Sequence, residues 1–206
     1  MHFWNVLTKL GDSGFTVPGA IVIALWLAQA GQRAHAWRWA MHFLFAGTVV
    51  SVTKLLYMAW CIGIPSLDFT GISGHTTMAA LLWPVLLRLS AQAGGLSNSS
   101  IEYATRTGTA VGIVVGLSRL QLHAHSVSEV LSGLLLGFAV SRAFLNQLPK
   151  TVCVTIDGRV LALTFTLLFS CLMLTPAPSQ ELLSAAAQLF AGHGAFNAQG
   201  KKCEAR

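Results

Sequence analysis

The residues best equipped for chemistry in this 206-residue chain sit in two short polar stretches between apolar runs. His125 and Glu129 are four apart, so on a helix they share a face and can hydrogen-bond. A carboxylate holding one imidazole nitrogen fixes the tautomer and leaves the other nitrogen free as a nucleophile or base. Ser118-Arg119 and His123 stand just upstream of that pair. In the other stretch, Ser73-Gly74-His75 opens an apolar run. Ser73 has the character of an N-cap, Gly74 lets the backbone approach a ligand, and the helix that follows offers free N–H groups and its positive dipole end. Lys54 interrupts the apolar run SVTKLLYMAW. Cations, imidazoles and one carboxylate gathered around a helix N-terminus suit an anion.

The elements that must position these groups are membrane spans. Hydrophobic residues make up 54% of the chain and charged residues only 10%, against about 25% in a soluble domain. Disorder, a coiled coil and an ordinary soluble enzyme are thereby excluded. The net charge is +6, but the basic residues are scattered between apolar runs and form no nucleic-acid footprint. Helices of about 20 residues cross a hydrocarbon core of about 30 Å, and the apolar runs place spans over 15–30, 37–60, 75–92, 107–121, 125–146 and 159–175. The expected fold is therefore all-α: one integral membrane domain over 1–206, a polytopic bundle of about six transmembrane helices. The first fourteen residues read as an interfacial helix, GGLSNSSIEYATR as a loop, and 177–206 as a tail. Residues 17–27 followed by Ala28-Gln29-Ala30 have the outline of a signal peptide, but Lys9 alone precedes them, so the first span is expected to stay.

Orientation follows from the basic residues in the connectors. Those after spans one, three and five carry Arg33, Arg38, Arg88, Arg106, Arg142, Lys150 and Arg159. The connectors that hold Ser73–His75 and His123–His125 should therefore face away from the cytoplasm. Ionisable groups at membrane depth are costly and normally face the bundle interior or a wet cavity, so their gathering at one end marks a site. The four cysteines form no C-x-x-C pair and no metal-ligand spacing, which argues against a disulfide framework. His42 reads as a hydrogen-bonded packing residue, Asp68 as a loop residue, and the glycines at 109–116 and 133–137 as close helix packing.

SRLQLHAHSVSEVLSGLLLG (118–137) resembles the third signature of the type 2 phosphatidic acid phosphatase family. That signature has Ser-Arg, five residues, His, three residues and Asp, before a small-residue apolar helix. GISGHTTMAA is similar to the second signature, Pro-Ser-Gly-His, and Lys54 to the lysine that opens the first. The resemblance covers about residues 45–140. It implies that His125 attacks phosphorus to give a phosphohistidine, that Glu129 orients its ring, and that His75 is the general acid. It also implies that Lys54, Ser73, Gly74 and Arg119 bind the phosphoryl oxygens, with no metal or other cofactor. The implied substrate is a membrane lipid phosphate or diphosphate, such as an isoprenoid diphosphate or a phosphatidic-acid-like lipid. The implied location is a bacterial inner membrane, with the site on the periplasmic face.

Three positions depart from the family pattern. Cys61 and Ile62 stand where the first signature has Arg-Pro, and no arginine lies between Arg38 and Arg88. Ile72 replaces the proline before Ser73, and Glu129 replaces an aspartate, lengthening that arm by roughly 1.5 Å. Protonated His123 is the expected stand-in for the missing arginine as a phosphate contact. Hydrolysis, phosphoryl transfer to a lipid or glycan hydroxyl, and binding of a lipid phosphate without turnover all remain open.

Overall fold

The computed structural model describes residues 2–148, 162–166, 168, 170, 183–187 and 189. Six α-helices run through residues 2–148 in order: α1 (His2–Thr8), α2 (Ser13–Gln29), α3 (Arg33–Trp60), α4 (Gly74–Ala93), α5 (Asn98–Gln121) and α6 (Val127–Gln147), and residues 162–166 and 183–187 are helical as well. Among the described residues there is no strand, only an isolated bridge between Ile64 and Phe69 in the α3–α4 connector. The all-α expectation holds. The expected sixth span and the tail lie largely outside the described residues.

Local chemistry sets the helix ends. Asp12 caps α2, its side chain accepting from the Gly14 N–H at 2.7 Å, so the expected interfacial helix breaks into α1 and a short 3-10 turn over Lys9–Gly11. α3 stops at Cys61, which adopts the left-handed conformation with φ 55°. α5 begins at Asn98, well inside the stretch expected to be a loop. Ser97 caps it, and the Glu102–Arg106 pair at 3.2 Å supports its exposed first turns. Ser126 and Glu129 form a reciprocal capping box at the start of α6.

α4 is the central helix. Leu81, Leu82, Val85, Leu86 and Leu89 are fully buried along it, and it packs on α2, α3, α5 and α6. Two stripes of glycine let the neighbours approach its backbone. A Cβ on Gly108 of α5 would meet the Trp83 carbonyl at 2.5 Å, and one on Gly137 of α6 would meet the Thr77 carbonyl at 2.5 Å. The Trp39 Nε1–H donates to the Ala20 carbonyl at 2.8 Å, pinning α3 to α2. His42 donates to or accepts from nothing at the site. Its Nδ1 lies 2.7 Å from the Arg38 carbonyl and its ring stands edge-on to Phe144.

Among the described residues, three helical stretches are long and apolar enough to cross a membrane: Phe3–Gln29, Arg33–Trp60 and Val127–Gln147. The protein is thus membrane-associated. α4 spans about 30 Å in 20 residues, long enough to cross as well. Its less apolar composition fits a helix surrounded by other helices rather than by lipid. Cys61 is disulfide-bonded, contrary to the expectation from cysteine spacing, and the other three cysteines lie outside the described residues. Spacing in sequence does not limit a bond that the fold brings together.

Candidate active site

The C-terminal end of α3, the N-terminus of α4, the C-terminal end of α5 and the N-terminus of α6 converge at one end of the bundle, and the turn before α2 joins them. At α6 the His125 Nδ1–H donates to Glu129 Oε2 at 2.6 Å, with the two side chains only 10% and 5% exposed. A carboxylate can only accept here, so Nδ1 carries the hydrogen and the Nε2 lone pair is free. The same carboxylate accepts from the Ser126 N–H at 3.3 Å, from the Thr70 N–H at 2.7 Å and from the Thr70 hydroxyl. All of its acceptor positions are occupied, which holds the imidazole orientation firmly.

The capping box explains how a glutamate serves where the resemblance implies an aspartate. Glu129 is the third residue of α6, and a glutamate at that position reaches back to the Ser126 N–H. The longer arm is accommodated by this backward fold. Its other oxygen ties the α3–α4 connector to α6 through Thr70, and the Ser73 N–H donates to the Glu129 carbonyl at 3.2 Å.

At α4, Ser73 occupies the N-cap position but its hydroxyl makes no capping bond. It pairs instead with the Thr76 hydroxyl at 2.9 Å and is fully buried. The first N–H groups of α4, beginning at Gly74, therefore have no side-chain cap and are open to an anion. His75 follows directly, and its Nε2 lies 3.4 Å from Asp12 Oδ2. Arg119 Nη1 donates to the Thr8 hydroxyl at 2.9 Å, while its Nε is buried without a hydrogen-bond partner among the described residues. Lys54 on α3 feels the charges of Arg119 and Glu129, and His75 feels those of Arg119, Asp12 and Lys54. Lys54 and His75 thus line one cavity within reach of the Arg119 charge, with Asp12 against His75 and Glu129 against His125.

Lys54, Gly74 and His75 line one cavity and His125 and Glu129 another, and the Thr70–Ser73 connector joins the two through the bonds that Thr70 and the Ser73 N–H make to Glu129. His123 is exposed, has φ 51°, and borders an outer cavity of about 860 Å³ that it shares with His125, Thr70 and Glu129. Cys61, at the arginine position of the first signature, is exposed at the end of α3. Among the described residues, no group of three or more His, Cys, Asp or Glu side chains is arranged to hold a metal ion. Sequence reasoning missed Asp12, Thr8 and Thr70. Asp12 carries a readable signal as an acidic residue just ahead of an apolar run, but that signal announces a helix start and not a histidine partner.

A family model described as the PAP2 superfamily matches residues 57–153, a stretch that holds Ser73–His75 and Ser118–Glu129 and begins just after Lys54. An "uncharacterized 22.5 kDa protein in cps region" from Klebsiella pneumoniae is 40% identical over 187 residues, covering 87% of this chain and 88% of that relative. No solved structure matches. With this coverage and the site geometry above, the chain belongs to the PAP2 superfamily, whose members are phosphatases acting on phosphate esters.

Proposed function

We propose that the protein dephosphorylates a membrane lipid phosphate or diphosphate through a phosphohistidine on His125. One observation carries this reading: His125 has its Nδ1–H committed to a fully occupied carboxylate, which leaves Nε2 as an oriented nucleophile. In the first step the Nε2 lone pair forms the N–P bond as the bond to the leaving oxygen breaks. His75 supplies the proton that this oxygen takes up. In the second step His75 accepts a proton from water as its oxygen attacks phosphorus. The N–P bond breaks and inorganic phosphate leaves. Lys54, Arg119 and the uncapped N–H groups of α4 hold the phosphoryl oxygens and stabilise the charge that develops on them.

The buried Arg119 Nε without a partner supports an anion in this space, because an unmatched buried donor costs about 1–3 kcal/mol. In the six-span topology the site end faces the periplasm. Arg33, Arg38, Arg88, Arg106 and Arg142, in the halves of α3, α4, α5 and α6 away from the site, favour that orientation, and so does the Cys61 disulfide at the site end, since disulfides persist on the oxidising side. A head group at the outer membrane surface then meets the site directly. Phosphate release from phosphatidic acid and an isoprenoid diphosphate, measured with purified protein in detergent plus EDTA, tests the reading. Release that survives EDTA and is lost in His125→Ala is the expected result. Release abolished by EDTA, or retained in the variant, would overturn it.

A further inference from the structure

The connector over 30–32 joins α2 to α3, and the Trp39–Ala20 bond pins them together. Between that pin and the active site lies a partly open cavity of about 230 Å³, lined by α2, α3 and α4 and by Leu183. Its mouth is formed by Lys54, Gly74, His75 and Ser13, so it opens onto the candidate active site. Its deeper wall is formed by Val17, Phe43, Gly47, Val50 and Met78, and among the described residues Lys54 is its sole Lys, Arg, Asp or Glu. Phe43, Gly47, Val50 and Lys54 follow one another at steps of four, three and four residues, a single face of α3. The 12 residues from Phe43 to Lys54 cover about 16 Å along the helix axis. The trough therefore runs from the site toward the middle of the bundle, cationic at one end and apolar below.

Two details argue that this space is kept for a ligand. A glycine inside a helix costs about 1 kcal/mol relative to alanine, and the glycines of α5 and α6 offset that cost by letting backbones touch. Gly47, the single glycine of α3, does not. Among the described residues, a Cβ there would meet only the end of the Met78 side chain, at an ordinary 3.7 Å. In addition, the Ser13 hydroxyl at the mouth is buried with no hydrogen-bond partner among the described residues.

We infer that this trough is the seat of a hydrocarbon chain of the substrate, the chain whose phosphate reacts at His125. The inference rests on the lipid phosphate reading above and adds the residues that select the chain. Ser13 bonds an oxygen at the junction of head group and chain, and Gly47 sets the width at which the chain passes α3. Occupation of the trough by an apolar chain removes hydrocarbon from competition with detergent or bilayer, so its contribution grows with the chain length that fits.

The test compares wild-type protein with Gly47→Leu, which fills the trough, and Gly47→Ala, which barely enters it. Both substitutions raise helix propensity, and thermal melts check the fold. For dioleoyl phosphatidic acid, Gly47→Leu should raise KM about tenfold or more, from roughly fourfold per displaced methylene. For p-nitrophenyl phosphate, which has no chain, KM and kcat should stay within about twofold. Equal effects on both substrates, or none on either, would overturn the inference. A dioleoyl-type phosphatidic acid carrying a diazirine in one chain separates this inference from the reading beneath it. Crosslinks at Phe43, Val50 or Met78 without phosphate release would sink the phosphatase reading and keep the trough. Release with crosslinks confined to other helices would do the reverse.

Discussion

Replacing Glu129 by glutamine removes the charge beneath the nucleophile while keeping the side chain's length. In the native protein the carboxylate receives the His125 Nδ1–H at 2.6 Å, the Ser126 N–H at 3.3 Å, and both the N–H and the hydroxyl of Thr70. The amide has one oxygen for these donors and turns an NH₂ group toward the rest. When phosphorus is transferred, His125 becomes cationic, and only a carboxylate can stabilise that charge. A hydrogen bond to a charged partner is worth about 1.5–3 kcal/mol, and the pair is nearly sealed from water. Glu129→Gln should therefore lower kcat about 10- to 150-fold. The displaced Thr70 donors should also cost about 1–3 kcal/mol of stability, visible as a lower melting temperature. The assay is steady-state phosphate release from phosphatidic acid in detergent, run below the melting temperature of both proteins. A folded Glu129→Gln protein with kcat within twofold of wild type would refute the assigned role.

The other predictions follow from contacts across the bundle. Asp12→Asn weakens the hold on His75, so kcat for a lipid alkoxide leaving group should fall about tenfold, while the rate of the first-turnover burst of p-nitrophenol from p-nitrophenyl phosphate, a step that needs no proton, is spared. Equal losses on both would show a structural role instead. His123 borders the cavity that His125 and Glu129 share, so His123→Ala should lower kcat/KM for phosphatidic acid severalfold and His123→Arg should restore it. Equal values in all three proteins would discard a phosphate contact there. Gly108→Val forces a side chain into the Trp83 carbonyl, 2.5 Å from the new Cβ. It should destabilise the protein by about 1–3 kcal/mol, measured by thermal or denaturant unfolding.

What was readable beforehand was whatever lies close in sequence. The His125–Glu129 pair is four residues long, and the Ser73–His75 turn announces a helix start by itself. The α2, α3, α4 and α6 boundaries fell near their apolar limits. The glycines expected to bring helices close do so at Gly112 and Gly116 of α5 and at Gly133 and Gly137 of α6. What escaped was set by tertiary contact. Thr70 reaches Glu129 across 59 positions and Thr8 reaches Arg119 across 111, and no periodicity encodes such pairs. Ser73 kept its expected position yet turned its hydroxyl to Thr76, a choice made by burial rather than by the local N-cap preference. The early start of α5 escaped because a polar stretch reads as a loop, whereas a cap and an ion pair sustain an exposed helix.

The central claim is the covalent intermediate on His125, and a rapid acid-free quench of protein turning over phosphate-labelled substrate tests it most directly. The account predicts label on a peptide containing His125, stable to alkali and lost in mild acid, and none in His125→Ala. Label on another residue, or turnover with no labelled protein at any quench time, would contradict it.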